Sequence, residues 1–349
     1  SNCSLMNSFF DYVYPFLPYN DHLRTVISSL KIPFWTYFIY IVLFRLKAII
    51  HYSNDKLKSL YYNKKIDFNK RVVKEMGCLN YFPYFLLPHY LLQGAFHEYF
   101  MTPHKVCFKR EYIVNKADNG VISLDWAYSD NNILTSKPSI CNKTSLYNNS
   151  HSSNSKRKCF SQFENLIILV HGLSGGSETL YIKEITEEFI KHDYQVVIVH
   201  ARGINDTPLG TPIIFHAGFT IDLEFTFNYI FENHQNIKKA FVVGTSMGAN
   251  TTYRLLGQNR SFDHIIKGYC SVSNFFDMTK ATKVITNSFV DRVLVRNEIG
   301  YFEKHNDIIS SLFNEKNITK SKVKESKTMA EFDSELVVKS HGFKDLNNY

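Results

Sequence analysis

The sequence predicts an α/β architecture, a mostly parallel sheet with helices packed on both of its faces. Three observations lead there. Short, largely apolar runs at Leu166–Val170, Gln195–His200, Ala240–Val243 and His264–Ser271 read as strands buried on both sides. Between them, Thr179–His192, Phe219–Asn233 and Met247–Leu256 carry apolar residues at helical spacing. Strand and helix alternate along this stretch, and parallel neighbours joined by crossover helices are the arrangement that buries both kinds of element at once.

The elements around this core follow in order. Residues 1–75 form an N-terminal, membrane-associated helical region. Its apolar run Ile32–Phe44 includes Trp35, Tyr37 and Tyr40 and is followed by Arg45 and Lys47. A spanning helix needs about 20 apolar residues, a length reached here only if the two basic side chains snorkel to the interface. A span, an interfacial helix and a buried helix therefore all stay open. Basic residues are more numerous after the run than before it, which for a span would put the C-terminal side in the cytoplasm. Residues 76–349 form the second region, an α/β domain. It opens with a hairpin, Val106–Val114 and Val121–Ala127 around the turn Asp118-Asn119-Gly120. Residues 129–161 lose all periodicity and are rich in Asn, Ser and Lys, as expected of a disordered surface insertion between two core strands. The sequons at Asn142 and Asn148 fall in this stretch, where composition alone generates them. Residues 279–335 read as mainly helical and polar, and 336–349 have no assignment.

Composition narrows the function classes. The 349 residues are 44% hydrophobic and 15% aromatic, enough for one large core with appendages and too apolar for general disorder. The net charge of +8 is scattered, apart from a moderate run between Lys56 and Lys74, and no nucleic-acid-binding motif accompanies it. A mild attraction to an anionic membrane surface accounts for the excess better than nucleic acid does. The six cysteines (Cys3, Cys78, Cys107, Cys141, Cys159, Cys270) show neither CxxC nor metal-ligand spacing, so unpaired thiols are favoured over a disulfide framework and no metal site is expected. No dinucleotide or phosphate-loop fingerprint points to a cofactor.

The strongest chemical signal is Gly244-Thr245-Ser246-Met247-Gly248, lying between the strand Ala240–Val243 and a helix. That context is what a nucleophile elbow requires. The turn is tight, so the positions two before and two after the serine must be small, which Gly244 and Gly248 satisfy. Ser246 is the candidate nucleophile. The Met247 N–H, at a helix N-terminus, is a candidate donor to a developing oxyanion. The second signal, His171-Gly172-Leu173-Ser174-Gly175-Gly176, directly follows the strand Leu166–Val170. It is the expected oxyanion loop, with the Leu173 N–H as the other donor and His171 as a residue that locks the loop. A third, Ala201-Arg202-Gly203, ends the next strand, and Arg202 is expected to order loops rather than bind substrate.

With these motifs in place, the sequence resembles the YheT-like branch of the α/β-hydrolases, which includes membrane-anchored lipid hydrolases of eukaryotes. Ser123-Leu124-Asp125-Trp126 resembles its entry hairpin, Gly244-Thr245-Ser246-Met247-Gly248-Ala249-Asn250 its elbow, and Ser273-Asn274-Phe275-Phe276-Asp277 its post-elbow strand end, with Phe275 where the family has Pro. Phe332-Asp333 and Gly342-Phe343 resemble a late segment. The resemblance implies an α/β-hydrolase fold that in residues 76–349 lacks its last strands, and a serine ester hydrolase acting on lipid or acylglycerol-type esters through a Ser-Asp-His mechanism, without a cofactor. It also implies membrane association, and it places the acid and base after Tyr349, so that these 349 residues by themselves are expected to be inactive. Within the chain, Asp277 is a weak alternative acid, whereas His264, His305 and His341 read as surface residues. The start on Ser1 and the missing acid and base suggest a sequence incomplete at both ends. A catalytically silent binding or scaffold protein on the same fold is the competing reading, and a membrane adaptor acting through residues 1–75 is a third.

Overall fold

The computed structural model describes residues 65–75, 94, 96–97, 106–129, 164–173, 175–346 and 348–349, with the single positions 39, 42, 43 and 46. The chain divides into two compact units, Ser1–Thr102 and Pro103–Tyr349.

In the first unit, helix α1 (Asp67–Glu75) carries Asp67 in its first turn and Lys74 in its last, the polarity that a helix dipole favours. Lys70 Nζ reaches Asp67 Oδ1 at 2.8 Å on an exposed face. The apolar run 32–44 lies outside the described residues except for Ile39, Val42 and Leu43, which are helical and exposed. Among the described residues no helix is long and apolar enough to cross a membrane. The Asn/Ser-rich stretch 129–161 also lies outside them, apart from Ser129.

The second unit is built on a six-stranded sheet in the order β1-β2-β4-β3-β5-β6. Strands β1 (Val106–Asn115) and β2 (Gly120–Ser129) form the expected antiparallel hairpin. Asn119 takes the left-handed backbone that the turn demands, φ 59°, and the Asp118 carboxylate accepts the Gly120 N–H at 2.9 Å. Strand β2 runs antiparallel to β4 (Gln195–His200), and β4, β3 (Asn165–Val170), β5 (Lys239–Thr245) and β6 (Ile266–Val272) are parallel. Side chains alternate along a strand, and each face therefore has its own core. Leu166, Ile168, Val197 and Val199 pack with Leu223, Phe227 and Ile230 of α3 (Ile221–Asn233) and Leu255 of α4 (Met247–Gln258). On the other face, Ile167, Leu169, Val196 and Ile198 pack with Ile182 of α2 (Leu180–Lys191).

Two expectations change. Strand β6 starts at Ile266 rather than His264, because residues 261–265 turn back on themselves, and it is half-buried or exposed rather than covered on both faces. Among the described residues it pairs only with β5, as the outermost strand. The region after it is helical as expected but has its own core. Helices α5 (Met278–Ile285), α6 (Phe289–Lys304), α7 (Asn306–Ile309), α8 (Lys320–Lys324) and α9 (Met329–Phe332) run into a π turn at Asp333–Val337 and a last helix, α10 (Val338–His341). Val295, Phe302, Ile309, Val323, Phe332 and Leu336 gather there against Leu209 and Ile214 of the long loop after β4. The unassigned tail is thus helical as far as His341. Gly342, at φ 71°, supplies the left-handed C-terminal stop.

Candidate active site

The turn between β5 and α4 holds Ser246 at φ 52°, ψ −117°. A non-glycine residue in such a conformation carries about 1–3 kcal/mol of strain and persists only where its surroundings enforce it. Here the Ser246 N–H donates to Val272 O at 2.9 Å, at the end of β6, and the Ser246 carbonyl accepts from Asn250 N in the first turn of α4. The two glycines are required by contact. A Cβ on Gly244 would lie 2.7 Å from Ala249 Cα, and one on Gly248 would lie 2.3 Å from Val170 O.

Strand β3 ends beside this turn, and the loop that follows passes over the serine. A Cβ on Gly172 would sit 3.0 Å from Ser246 Cβ and 3.6 Å from Ser246 Oγ, so the backbone of the loop lies directly against the Ser246 side chain. Neither the Leu173 nor the Met247 N–H has an acceptor among the described residues. Met247 is the first residue of α4, where such donors are unpaired and the helix dipole favours negative charge. The structure therefore brings together Ser246, Gly244, Gly248, His171, Gly172, Leu173 and Met247, the residues singled out from sequence.

His171 is 3% exposed and donates from Nδ1 to Gly172 O at 2.7 Å. Burial, reinforced by His200 nearby, pushes its pKa down to about 3, so the ring is neutral. Its Nε2 is buried without a partner among the described residues. Arg202 is fully buried. It holds Asp222 with Nε and Nη2, reaches Asp118 Oδ2 at 2.9 Å and Thr211 Oγ1 at 3.2 Å, and lies over the Phe219 ring. One guanidinium thus ties the β1–β2 turn and the loop after β4 to α3, and Gly120 leaves the room it needs.

The weak alternative acid is elsewhere. Asp277 is exposed and caps α5, accepting from Lys280 N at 3.0 Å and pairing with Lys280 Nζ at 3.1 Å, and these contacts lower its pKa. His264 is exposed, with Nδ1 2.7 Å from Ser261 O. His305 and His341 are not surface residues. His305 Nε2 donates to Gly203 O at 2.8 Å from a buried position. His341 Nε2 donates to Ile214 O at 2.9 Å, and its ring stands 4.4 Å from His216. Helical spacing could not reveal this, because both acceptors belong to the loop after β4. Among the described residues, none of these histidines hydrogen-bonds to Ser246 Oγ.

Two groups of residues carried no sequence signal as a set. One is a buried polar cluster around Asp125, described below. The other is a pair of carboxyl groups in the helical region. Burial raises Glu298 to about 8, helped by Asp333, and raises Asp333 to about 7. Glu298 Oε1 is buried without a partner among the described residues. A carboxyl raised in the fold stabilises fully below its unfolded value, ordinarily 4.5 for Glu, and that stability is lost as pH climbs toward 8. Each intervening pH unit removes about 1.4 kcal/mol per group. Glu298→Gln keeps the shape without the charge, so it should raise the melting temperature by several degrees at about pH 7.5 and leave it unchanged near pH 4.5. Thermal melts across that range test this; an effect independent of pH would refute it.

Residues 165–294 match the family model described as the alpha/beta hydrolase fold. Over these residues the chain is similar to the α/β-hydrolase superfamily, in keeping with its mostly parallel six-stranded sheet. Relatives of this chain include a monoacylglycerol lipase of Saccharomyces cerevisiae, 26% identical over 53% of this chain and 42% of that protein. An embryogenesis-associated protein of Picea glauca is 29% identical over 53% of this chain and 40% of its own length. An abhydrolase domain-containing protein of Dictyostelium discoideum is 22% identical over 84% of this chain and 70% of its own. The chain thus spans about two fifths of the length of the first two. Among solved structures, an esterase of Pyrococcus furiosus aligns at 17% identity with a TM-score of 0.36, over 51% of this chain and 56% of that one.

Proposed function

We propose that the protein is a serine ester hydrolase acting on lipid or acylglycerol-type esters, of the YheT-like, membrane-associated type. The observation that carries the reading is the approach of the Gly172 backbone to Ser246 Oγ, with two unpaired N–H groups nearby at Leu173 and Met247. Such donors stabilise the charge that develops on a carbonyl oxygen under attack. In the proposed mechanism Ser246 Oγ attacks the ester carbonyl, the alcohol leaves, and water releases the acyl group. A base must take the serine proton and return it to the leaving alcohol, and a carboxylate must orient that base. His264, His305 and His341 hydrogen-bond to carbonyls elsewhere, and Asp277 caps a helix. None of these four residues is therefore assigned as the base or the acid, and the reading rests on Ser246 and the loop beside it. The lipid substrate is suggested by the relative named monoacylglycerol lipase.

The test uses the intact protein as it occurs in its cell. A fluorophosphonate probe should label Ser246, and Ser246→Ala should abolish the label and lower monoacylglycerol hydrolysis at least about a thousandfold. Labelling that survives the substitution would refute the nucleophile. Absence of both label and turnover in the unmodified intact protein would favour a binding or scaffold role.

A further inference from the structure

The Asp125 carboxylate is 2% exposed in the middle of β2, and four donor atoms from three elements converge on it. Arg110 of β1 holds it with two bonds, Nε to Oδ1 and Nη2 to Oδ2, both 2.7 Å. His200, the last residue of β4, places Nε2 2.9 Å from Oδ2. Ser177 Oγ donates to Oδ2 at 2.5 Å. A carboxylate only accepts, so His200 Nε2 carries a proton. Asn205 Nδ2 faces His200 Nδ1 at 3.4 Å and Ser177 Oγ at 3.3 Å, and the Asn205 carbonyl accepts from Arg110.

Ser177 lies near the far end of the loop that begins at His171 and passes over Ser246. The loop is internally braced, with Gly175 N bonded to Gly172 O at 3.1 Å and Gly176 N to Thr179 Oγ1 at 3.1 Å. Both of its ends lead back to Asp125. Ser177 bonds to it directly, and the His171 ring packs against that of His200, which bonds to Asp125, the ring centroids 5.2 Å apart. A Cβ on Gly176 would meet Asn205 Nδ2 at 2.6 Å, so the loop sits flush on the cluster. If this anchorage gives way, Gly172 and Leu173 lose their fixed place beside Ser246 Oγ.

We propose that Asp125, through Ser177 and His200, is the positioning residue that sets the oxyanion loop for catalysis. It touches no reacting atom and acts by holding the Leu173 N–H in place. This rests on the reading of Ser246 as the nucleophile of an ester hydrolase. Loose geometry in such a loop weakens transition-state binding more than substrate binding, so the effect should fall on kcat rather than KM.

The test is Ser177→Ala in the intact protein, because Asp125→Asn would also disturb the Arg110 pairing. Two readouts are taken: turnover of p-nitrophenyl butyrate, and amide hydrogen exchange over residues 171–177. The expected result is a kcat lowered about 10- to 100-fold, less than the roughly hundred- to thousandfold for removing an oxyanion donor outright. KM should stay within about twofold, and exchange across the loop should be faster, with circular dichroism unchanged. A kcat within about twofold of the unmodified protein overturns the proposal. So does a kcat loss matched by a raised KM and a lowered melting temperature, which marks a merely structural bond. Unmodified protein that neither turns over the ester nor takes the fluorophosphonate label refutes the hydrolase reading instead. In that event the exchange arm still decides the clamp, faster exchange supporting it and unchanged exchange overturning it.

Discussion

Gly248→Ala should destabilise the sheet domain by about 3 kcal/mol or more, at or beyond the upper end of ordinary overpacking. The added methyl would lie 2.3 Å from Val170 O and 2.4 Å from His171 O. Both are main-chain atoms, so no side-chain rotation relieves the clash. To make room, α4 must withdraw from the end of β3 or the oxyanion loop must lift, and either movement separates Gly172 from Ser246. Gly257, also in α4, is the internal control, since nothing lies within 4 Å of a Cβ there. Gly257→Ala should stabilise by about 0.5–1 kcal/mol through helix propensity. Urea denaturation of the two variants is the measurement. A Gly248→Ala midpoint equal to that of the unmodified protein would rule out the tight packing described here.

Arg202→Met should cost about 3–5 kcal/mol, the usual penalty for removing one partner of a buried ion pair. The side chain is wholly buried and neutralises Asp222 and Asp118, whose own side chains are 8% and 19% exposed. Methionine fills much of the volume and leaves both carboxylates without their cation. The loss should be partly recovered in the double variant Arg202→Met, Asp222→Leu, because replacing both partners of a buried pair by apolar groups is often close to neutral. Denaturant titration of the single and double variants decides this. If the double variant is less stable than the single one, the unpaired charge is not the source of the loss.

Local pattern was enough to identify the parallel core. The runs Leu166–Val170 and Gln195–His200 are apolar because both faces of β3 and β4 are covered, and that covering leaves a direct mark on composition. The elbow was legible for a related reason: Gly244 and Gly248 are imposed by contacts within a few residues of Ser246 or with the strand beside it. Asp125 was visible within a family-like motif, but its clamp was not, because its partners Arg110, Ser177 and His200 come from three other elements and meet only through the sheet order. His305 and His341 read as polar surface residues because their acceptors, Gly203 O and Ile214 O, are supplied by a distant loop. The late helical core was missed because its short helices pair apolar residues across elements rather than along one face. Periodicity reports which side of an element is covered. It does not report what covers it.

The amide of Ser246 hangs from Val272 O at the end of β6. Among the described residues β6 is the outermost strand, so the backbone of Ser246 is tied to the margin of the described sheet while the loop passing over it starts from β3, in the middle. The two halves of the proposed site therefore depend on different strands, one paired on both sides and the other, among the described residues, on one side alone. Whatever braces or frays that margin, including a neighbour pairing along β6 or a change at the exposed thiol of Cys270, alters the aim of the serine without touching the site.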